Sequence, residues 1–98
     1  MHDVIYFNEL YDIYGKLLTE KQREYFEDYY FNNLSFSEMA ENYNVSRNAI
    51  FKQIHIVTDK LEEYESILYL REKNVKIKDK IKNISSDLRN EIEDILDN

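Results

Sequence analysis

Apolar side chains recur along this chain at steps of three and four with polar residues between them, the period of amphipathic helices and not of strands. Over Val4 to Leu18 the series Ile5, Tyr6, Phe7, Leu10, Tyr11, Tyr14, Leu17 and Leu18 predicts one helix, weakened only slightly by Gly15. Thr19-Glu-Lys-Gln22 is a capping-box pattern that opens a second helix, with Tyr25, Phe26, Tyr29 and Tyr30 as its apolar face and Asn32-Asn33 as its stop. Ser35-Phe-Ser-Glu38 is a second capping box and starts a short third helix reaching about Asn42. After Ser46, the residues Ile50, Ile54, Val57, Leu61, Tyr64 and Leu68 keep this spacing with no breaker, so a long fourth helix is expected. On its wheel Asn48, Lys52, His55 and Asp59 lie opposite the stripe, with Arg47 and Phe51 on one flank and Ile56 on the other.

Residues 35–56 constrain more positions at once than any other segment, and they read as helix, tight turn, helix. Ala40 is small where the two helices approach each other. Asn44 falls where the turn needs φ > 0, which Asn tolerates better than any residue but Gly. Val45 is the apolar plug after the turn, Ser46 is a good N-cap, and Ile50 and Ile54 face back toward the first helix. Ala40, Asn44, Val45, Ile50 and Ile54 are therefore the expected motif core. The fold class that follows is an all-α, winged-helix-like helix-turn-helix bundle over residues 1–70.

Beyond Leu70 the composition shifts. Residues 71–98 alternate Lys with acids and carry Ile77, Ile81, Ile84, Leu88, Ile92 and Ile95 as one apolar stripe on an otherwise charged helical extension. A narrow stripe seeks a partner helix, in its own domain or in a second copy, so the tail reads as a packing or dimerisation element. Ser85-Ser86 offers a point at which it breaks into two shorter helices.

Composition removes several function classes. The chain has 98 residues, enough for one small domain, and 43% of them are apolar, too many for a disordered chain. With no Pro, one Gly and no Cys there are no Gly-rich phosphate loops, disulfides, thiolate zinc sites or thiol nucleophiles. No basic-then-apolar signal segment opens the sequence, and no apolar run reaches the ~18 residues that span a bilayer, so a cytoplasmic protein without membrane insertion is expected. Carboxylates such as Glu27-Asp28, Glu62-Glu63-Glu65, Glu91, Glu93 and Asp94 fall on polar helix faces, and no catalytic constellation emerges. His2 and His55 lack a second ligand at metal-binding spacing. The expectation is a non-enzyme with no metal and no cofactor.

Charge complicates the motif. Net charge is −7, from 13 basic and 20 acidic residues, whereas the segment from Asn44 to Lys60 carries Arg47, Lys52 and Lys60 against Asp59 alone. A polyanion would be repelled by most of the surface and attracted only near the second motif helix. There Ser46, Arg47, Asn48, Phe51, Lys52 and His55 are the candidate nucleic-acid contacts: Arg suits guanine edges and phosphates, Asn suits adenine, and Lys acts as a point charge on the backbone. Tyr43 and Phe51 have the chemistry to stack on bases or anchor a partner, though aromatics at helical spacing are more often core or rim, as expected also of the Tyr25–Phe31 cluster. The alternative reading keeps the helical hairpin as a packing unit with a solvated polar face.

Several of these segments resemble a known family. Leu17-Leu-Thr-Glu-Lys-Gln-Arg-Glu-Tyr25, the pair Tyr29-Tyr30, Ser37-Glu-Met-Ala-Glu41, Asn44-Val-Ser-Arg47 with Ala49-Ile50, and Leu61-Glu-Glu-Tyr-Glu65 look like the YlxM-like proteins of Gram-positive bacteria and mollicutes. The match covers about residues 5–70 and is specific in the linear order of its motifs. The resemblance implies a small helix-turn-helix domain similar to the fourth region of bacterial sigma factors. It also implies, through genes that stand beside those of the signal recognition particle (SRP) GTPases, a regulatory part in that pathway. The family pattern has a Lys-Arg pair where this chain has His55-Ile56 and an Asp where it has Lys52, so charge has moved from the second turn of the helix to the first.

Two functions follow from these readings. One is a regulator that binds DNA or the particle's RNA through the second motif helix. The other is an adaptor that binds a basic protein partner, such as an SRP GTPase, without touching nucleic acid. A homodimer is expected under either.

Overall fold

Six α-helices follow one another along residues 4–97, the part of the chain that this computed structural model describes, and no strand occurs among the described residues. Helix α1 (Val4–Tyr14) gives way at Gly15 to a single 3₁₀ turn over Gly15–Leu17, followed by extended backbone at Leu18. The first helix is therefore shorter than its apolar series predicts. The glycine matters here because a Cβ would lie 3.2 Å from the Tyr11 ring, which is stacked on Phe26 at 4.3 Å. Packing of that ring over the backbone, added to the poor helix propensity of Gly, closes α1 early.

Helix α2 (Glu20–Tyr30) opens with the expected reciprocal cap between Thr19 and Gln22, and α3 (Phe36–Tyr43) with the same arrangement between Ser35 and Glu38. The two bonds from Ser35 also hold the Glu38 carboxyl below its ordinary range. Between α2 and α3, Asn33 takes φ 55°, and the amides of Asn32 and Leu34 reach back to Glu27 and Asp28. Helix α4 (Arg47–Leu68) is the longest element. It ends where Tyr69 adopts φ 55°, a left-handed conformation that nothing in a Leu-Tyr-Leu segment announces. Helices α5 (Leu70–Lys80) and α6 (Ser86–Asp97) follow.

The chain divides into two compact units, residues 1–68 and 69–98. In the first unit α4 packs against α1, α2 and α3. Its Ile50, Ile54, Val57 and Leu61 are buried among Phe7, Leu10 and Tyr14 of α1, Tyr25, Phe26 and Tyr30 of α2, and Met39 of α3. Tyr64 is only half-buried and Leu68 is exposed, so the stripe loses its cover after Leu61. Thr58 is buried too, because its hydroxyl donates to the carbonyl of Ile54 at 3.1 Å and so carries no unmet polar group inside. The domain is an all-α helix-turn-helix bundle, helical with no strand among its described residues.

In the second unit, α5 and α6 separate at Ser85-Ser86 as expected, with the Ser85 hydroxyl accepting the amide of Leu88. The salt bridge from Lys78 to Asp97 at 2.9 Å places the end of α6 beside the last turn of α5. Of the apolar stripe, Ile81 is buried, Ile84 and Ile92 are half-buried, and Ile77, Leu88 and Ile95 remain exposed. The six positions are thus divided between packing and surface instead of forming one uniform seam.

Tyrosines fasten the first unit at its edges, where a ring can be buried while its hydroxyl stays polar. Tyr11 donates to Glu27, Tyr14 to Glu65 at 2.6 Å and Tyr43 to Asp28 at 2.5 Å, linking α1 to α2, α1 to α4 and α3 to α2. Burial, and then the bonded carboxylate, push the Tyr11 and Tyr43 hydroxyls above the ordinary phenol range. A raised folded-state pKa means stability that is complete below the unfolded value of about 10 and is lost as pH rises beyond it. Urea unfolding between about pH 8 and 11 should show this loss, and replacing Tyr11 and Tyr43 together by Phe should flatten it. An unchanged pH slope in the double variant contradicts the assignment.

Candidate nucleic-acid interface

The turn between α3 and α4 is built by Asn44, whose φ of 55° and ψ of 47° place it in the left-handed region. Val45 donates its amide to the Ala40 carbonyl at 3.0 Å and Asn44 donates to Glu41 at 3.3 Å, the paired bonds of a Schellman cap. Ala40 is half-buried against the core and Ile50 and Ile54 are buried, as their motif positions predict. Val45 is different. It remains 42% exposed, because as the second residue past the helix it covers the turn from outside instead of plugging the core beneath it. Ile50 and Met39 of α3, by contrast, are fully buried in the core.

Ser46 accepts the amide of Ala49 through its side-chain oxygen at 3.0 Å, so it caps α4. Its contribution to any ligand contact is then its remaining hydroxyl proton and its backbone. Arg47, Asn48, Phe51, Lys52 and His55 all remain exposed on the first turns of α4. Asn48, Lys52 and His55 lie opposite the buried stripe, and Arg47 and Phe51 lie on its flank. The first turn of α4 contains no acid, and its free backbone amides add partial positive charge where Arg47 stands. An extended anion such as a phosphate backbone finds donors here and few competitors.

Phe51 does more than face solvent. Its ring lies 5.9 Å from Phe36 and 4.4 Å from the His55 ring, and Phe36 stacks on Tyr29 at 4.8 Å. The Phe36, Phe51 and His55 rings line a cleft of about 290 Å³, together with Phe7, Tyr30, Ile54, Thr58, Asp59 and Glu62. The cationic face of α4 therefore runs directly into an aromatic cleft with two carboxylates on its far rim. Tyr43, the other aromatic considered for stacking, is committed to the fold by its edge contact with Tyr25 at 4.8 Å and its bond to Asp28. The sequence pattern passed over Phe36, Asp59 and Glu62 as site residues. For Asp59 and Glu62 the signal was the continuation of the 51, 55 face of α4; Phe36, on α3, had none.

His55 is the one histidine among the described residues; His2 lies outside them. Among the described residues no group of three acidic or histidine side chains is placed to hold a metal ion, and no helix is long and apolar enough to cross a membrane.

Comparison with known proteins places this geometry in a family. The model of UPF0122, the YlxM / p13-like helix-turn-helix proteins, matches residues 1–98. The chain belongs to that family. A UPF0122 protein of Ureaplasma urealyticum serovar 10 is 51% identical over 74 residues, 76% of this chain and 75% of the relative. One from Shouchella clausii is 50% identical over 66 residues, 67% of this chain and 61% of the relative. A relative from Caldanaerobacter subterraneus is 42% identical over 82 residues, 84% of this chain and 70% of the relative. The match extends past the segment 5–70 that carries the recognisable motifs, so α5 and α6 lie within the family's bounds and are no appendage to it.

The cap offers a direct check on the local structure. Ser46→Ala removes the bond to the Ala49 amide and should destabilise the protein by about 1 kcal/mol, whereas Ser46→Asp should restore it. Equal urea midpoints for the wild type and both variants would show that this turn does not determine where α4 begins.

Proposed function

We propose that this protein is a non-enzymatic regulator that binds nucleic acid, DNA or the SRP RNA, through the first two turns of α4, and that it acts in the SRP pathway of the cytoplasm. One observation carries the reading. Asn48 and Lys52 stand exposed on the face of α4 opposite the one fixed in the core, with Arg47 exposed on its flank, at a capped N-terminus free of acids. That is the geometry by which a recognition helix presents side chains to a groove or a phosphate backbone. The pathway assignment rests on the YlxM-like motifs and on the family that they belong to. Pairing of two copies would double a contact surface that is small in one chain.

A second reading has its own support. Residues 1–68 carry thirteen acids against six bases, and residues 69–98 seven against seven, so the whole excess negative charge lies on the helix-turn-helix unit. A basic protein such as an SRP GTPase would meet a complementary surface there, and the molecule would act as an adaptor.

Fluorescence anisotropy with a duplex DNA and a hairpin RNA at ~50 mM salt, repeated as salt is raised, separates the two. Arg47→Ala with Lys52→Ala should weaken binding and lower the salt slope by roughly two units, about one for each lost phosphate contact. Absence of binding to either probe at the lowest salt, or an unchanged slope in the double variant, overturns the nucleic-acid reading in favour of the adaptor.

A further inference from the structure

We propose that the cleft beside α4 takes a single unpaired base, guanine before the others, from the loop of an RNA whose phosphates Arg47 holds. The inference rests on the nucleic-acid reading above and names the part of the nucleic acid that this protein selects.

The flank of α4 changes chemistry in a fixed order. Arg47, Phe51, Thr58 and Glu62 follow at steps of four, seven and four, so they share one flank, and the last three line the cleft. A cation comes first, then the Phe51, His55 and Phe36 rings, then the carboxylates of Asp59 and Glu62. A nucleotide has the same order in complementary form: an anionic phosphate, a planar ring, and on the far edge of the ring the donors that pair in a duplex. A basic protein segment would match the carboxylates alone and would meet Arg47 with the wrong sign.

The cleft suits a base in size and in geometry. At about 290 Å³ it stands at the lower end of the ~300–1,000 Å³ of small-molecule pockets, too small for a duplex. The Phe36 and Phe51 planes stand 81° apart with centroids separated by 5.9 Å. A base parallel to one ring is therefore nearly perpendicular to the other, and aromatic pairs favour both arrangements. Phe51 keeps 46% of its surface exposed and the exposed His55 ring lies 4.4 Å from it, so both gain cover when a base arrives. Neither Lys nor Arg lines the cleft among the described residues, so a phosphate finds no cation inside it.

The carboxylates decide which base. An ionised carboxylate only accepts hydrogen bonds, and its two oxygens have about four lone-pair positions between them. Guanine presents two adjacent donors, N1–H and the N2 amine, spaced for both oxygens of one carboxylate. Adenine and cytosine present one amine each, and uracil sets a single N–H between two carbonyls that a carboxylate repels. A duplex keeps these edges paired, and extruding a base from it costs unstacking and unpairing. Loop bases of RNA are already splayed out and stack on Phe and His rings.

Fluorescence anisotropy of the full chain at ~50 mM salt tests this with four hairpin RNAs of one stem, each loop all uridine but for one position that is G, A, C or U. The G loop should bind about tenfold more tightly than the U loop, with A and C between them. Inosine at that position, which lacks the N2 amine, should remove most of the preference. Phe51→Ala and, separately, Asp59→Asn with Glu62→Gln should bring the four loops together without changing the salt slope, since neither removes a phosphate contact. Arg47→Ala should do the opposite, lowering the slope by about one and keeping the order of the bases. Binding indifferent to the loop base, or a preference that survives Phe51→Ala, overturns this inference and leaves the nucleic-acid reading standing; no binding to any hairpin overturns both. An Arg-rich peptide that binds the wild type and is lost in the carboxylate variant, while the loop base has no effect, assigns the cleft to a basic protein instead. Phe51 is a surface ring, so its variant decides the matter even where the carboxylate variant fails to fold.

Discussion

The buried stripe of α4 is the constraint on which the first unit depends. Ile50, Ile54, Val57 and Leu61 are held between α1, α2 and α3, and every other feature of residues 4–68 is arranged around that contact. Each such side chain contributes about 1.5–3 kcal/mol of burial before the opposing entropy is counted, a large share of the stability of a domain this size. Because one face of the helix is fixed, the opposite face is fixed as well. The left-handed residue Asn44 and the Ser46 cap determine where α4 begins, and so which side chains stand on its first exposed turns. A packing requirement thereby becomes the geometry of a surface.

That surface changes character along one helix. Arg47 and Lys52 mark its N-terminal end, Phe51 and His55 form an aromatic step, and Asp59 and Glu62 close the far side of the cleft. The helix dipole reinforces the difference, with positive potential where the cations stand. An acidic protein can approach a polyanion only through such a local exception. On a protein of net charge −7, these cations and carboxylates of α4 thus occupy different turns.

The sequence made the helix starts legible because capping is written in adjacent residues: Thr19 with Gln22, Ser35 with Glu38, and Ser46 before a helical stripe all behave as their chemistry dictates. Asn44 was legible for the same reason, since few residues tolerate its backbone angles. Helix ends were less so. The 3₁₀ turn at Gly15 depends on where the Tyr11 ring settles, and the break at Tyr69 on a residue with no preference for φ > 0. The exposure of Val45 is not written in its type, because an apolar residue after a turn suits a core plug and an external Schellman contact equally. The cleft was hidden for a deeper reason. Phe7, Tyr30, Phe36 and Phe51 come from four helices, and periodicity reports the face of one helix at a time. Whether the exposed face of α4 meets nucleic acid lies beyond periodicity altogether, since solvated and ligand-binding polar residues follow the same spacing.

The central claim is that the first turns of α4 are the nucleic-acid surface. A ¹⁵N-labelled chain titrated with hairpin RNA and, separately, duplex DNA at ~50 mM salt tests it most directly by the backbone amides that shift. The account predicts shifts concentrated from Ser46 to His55, reversed by added salt. Shifts centred on the lysines of α5, or none with either nucleic acid, would contradict it.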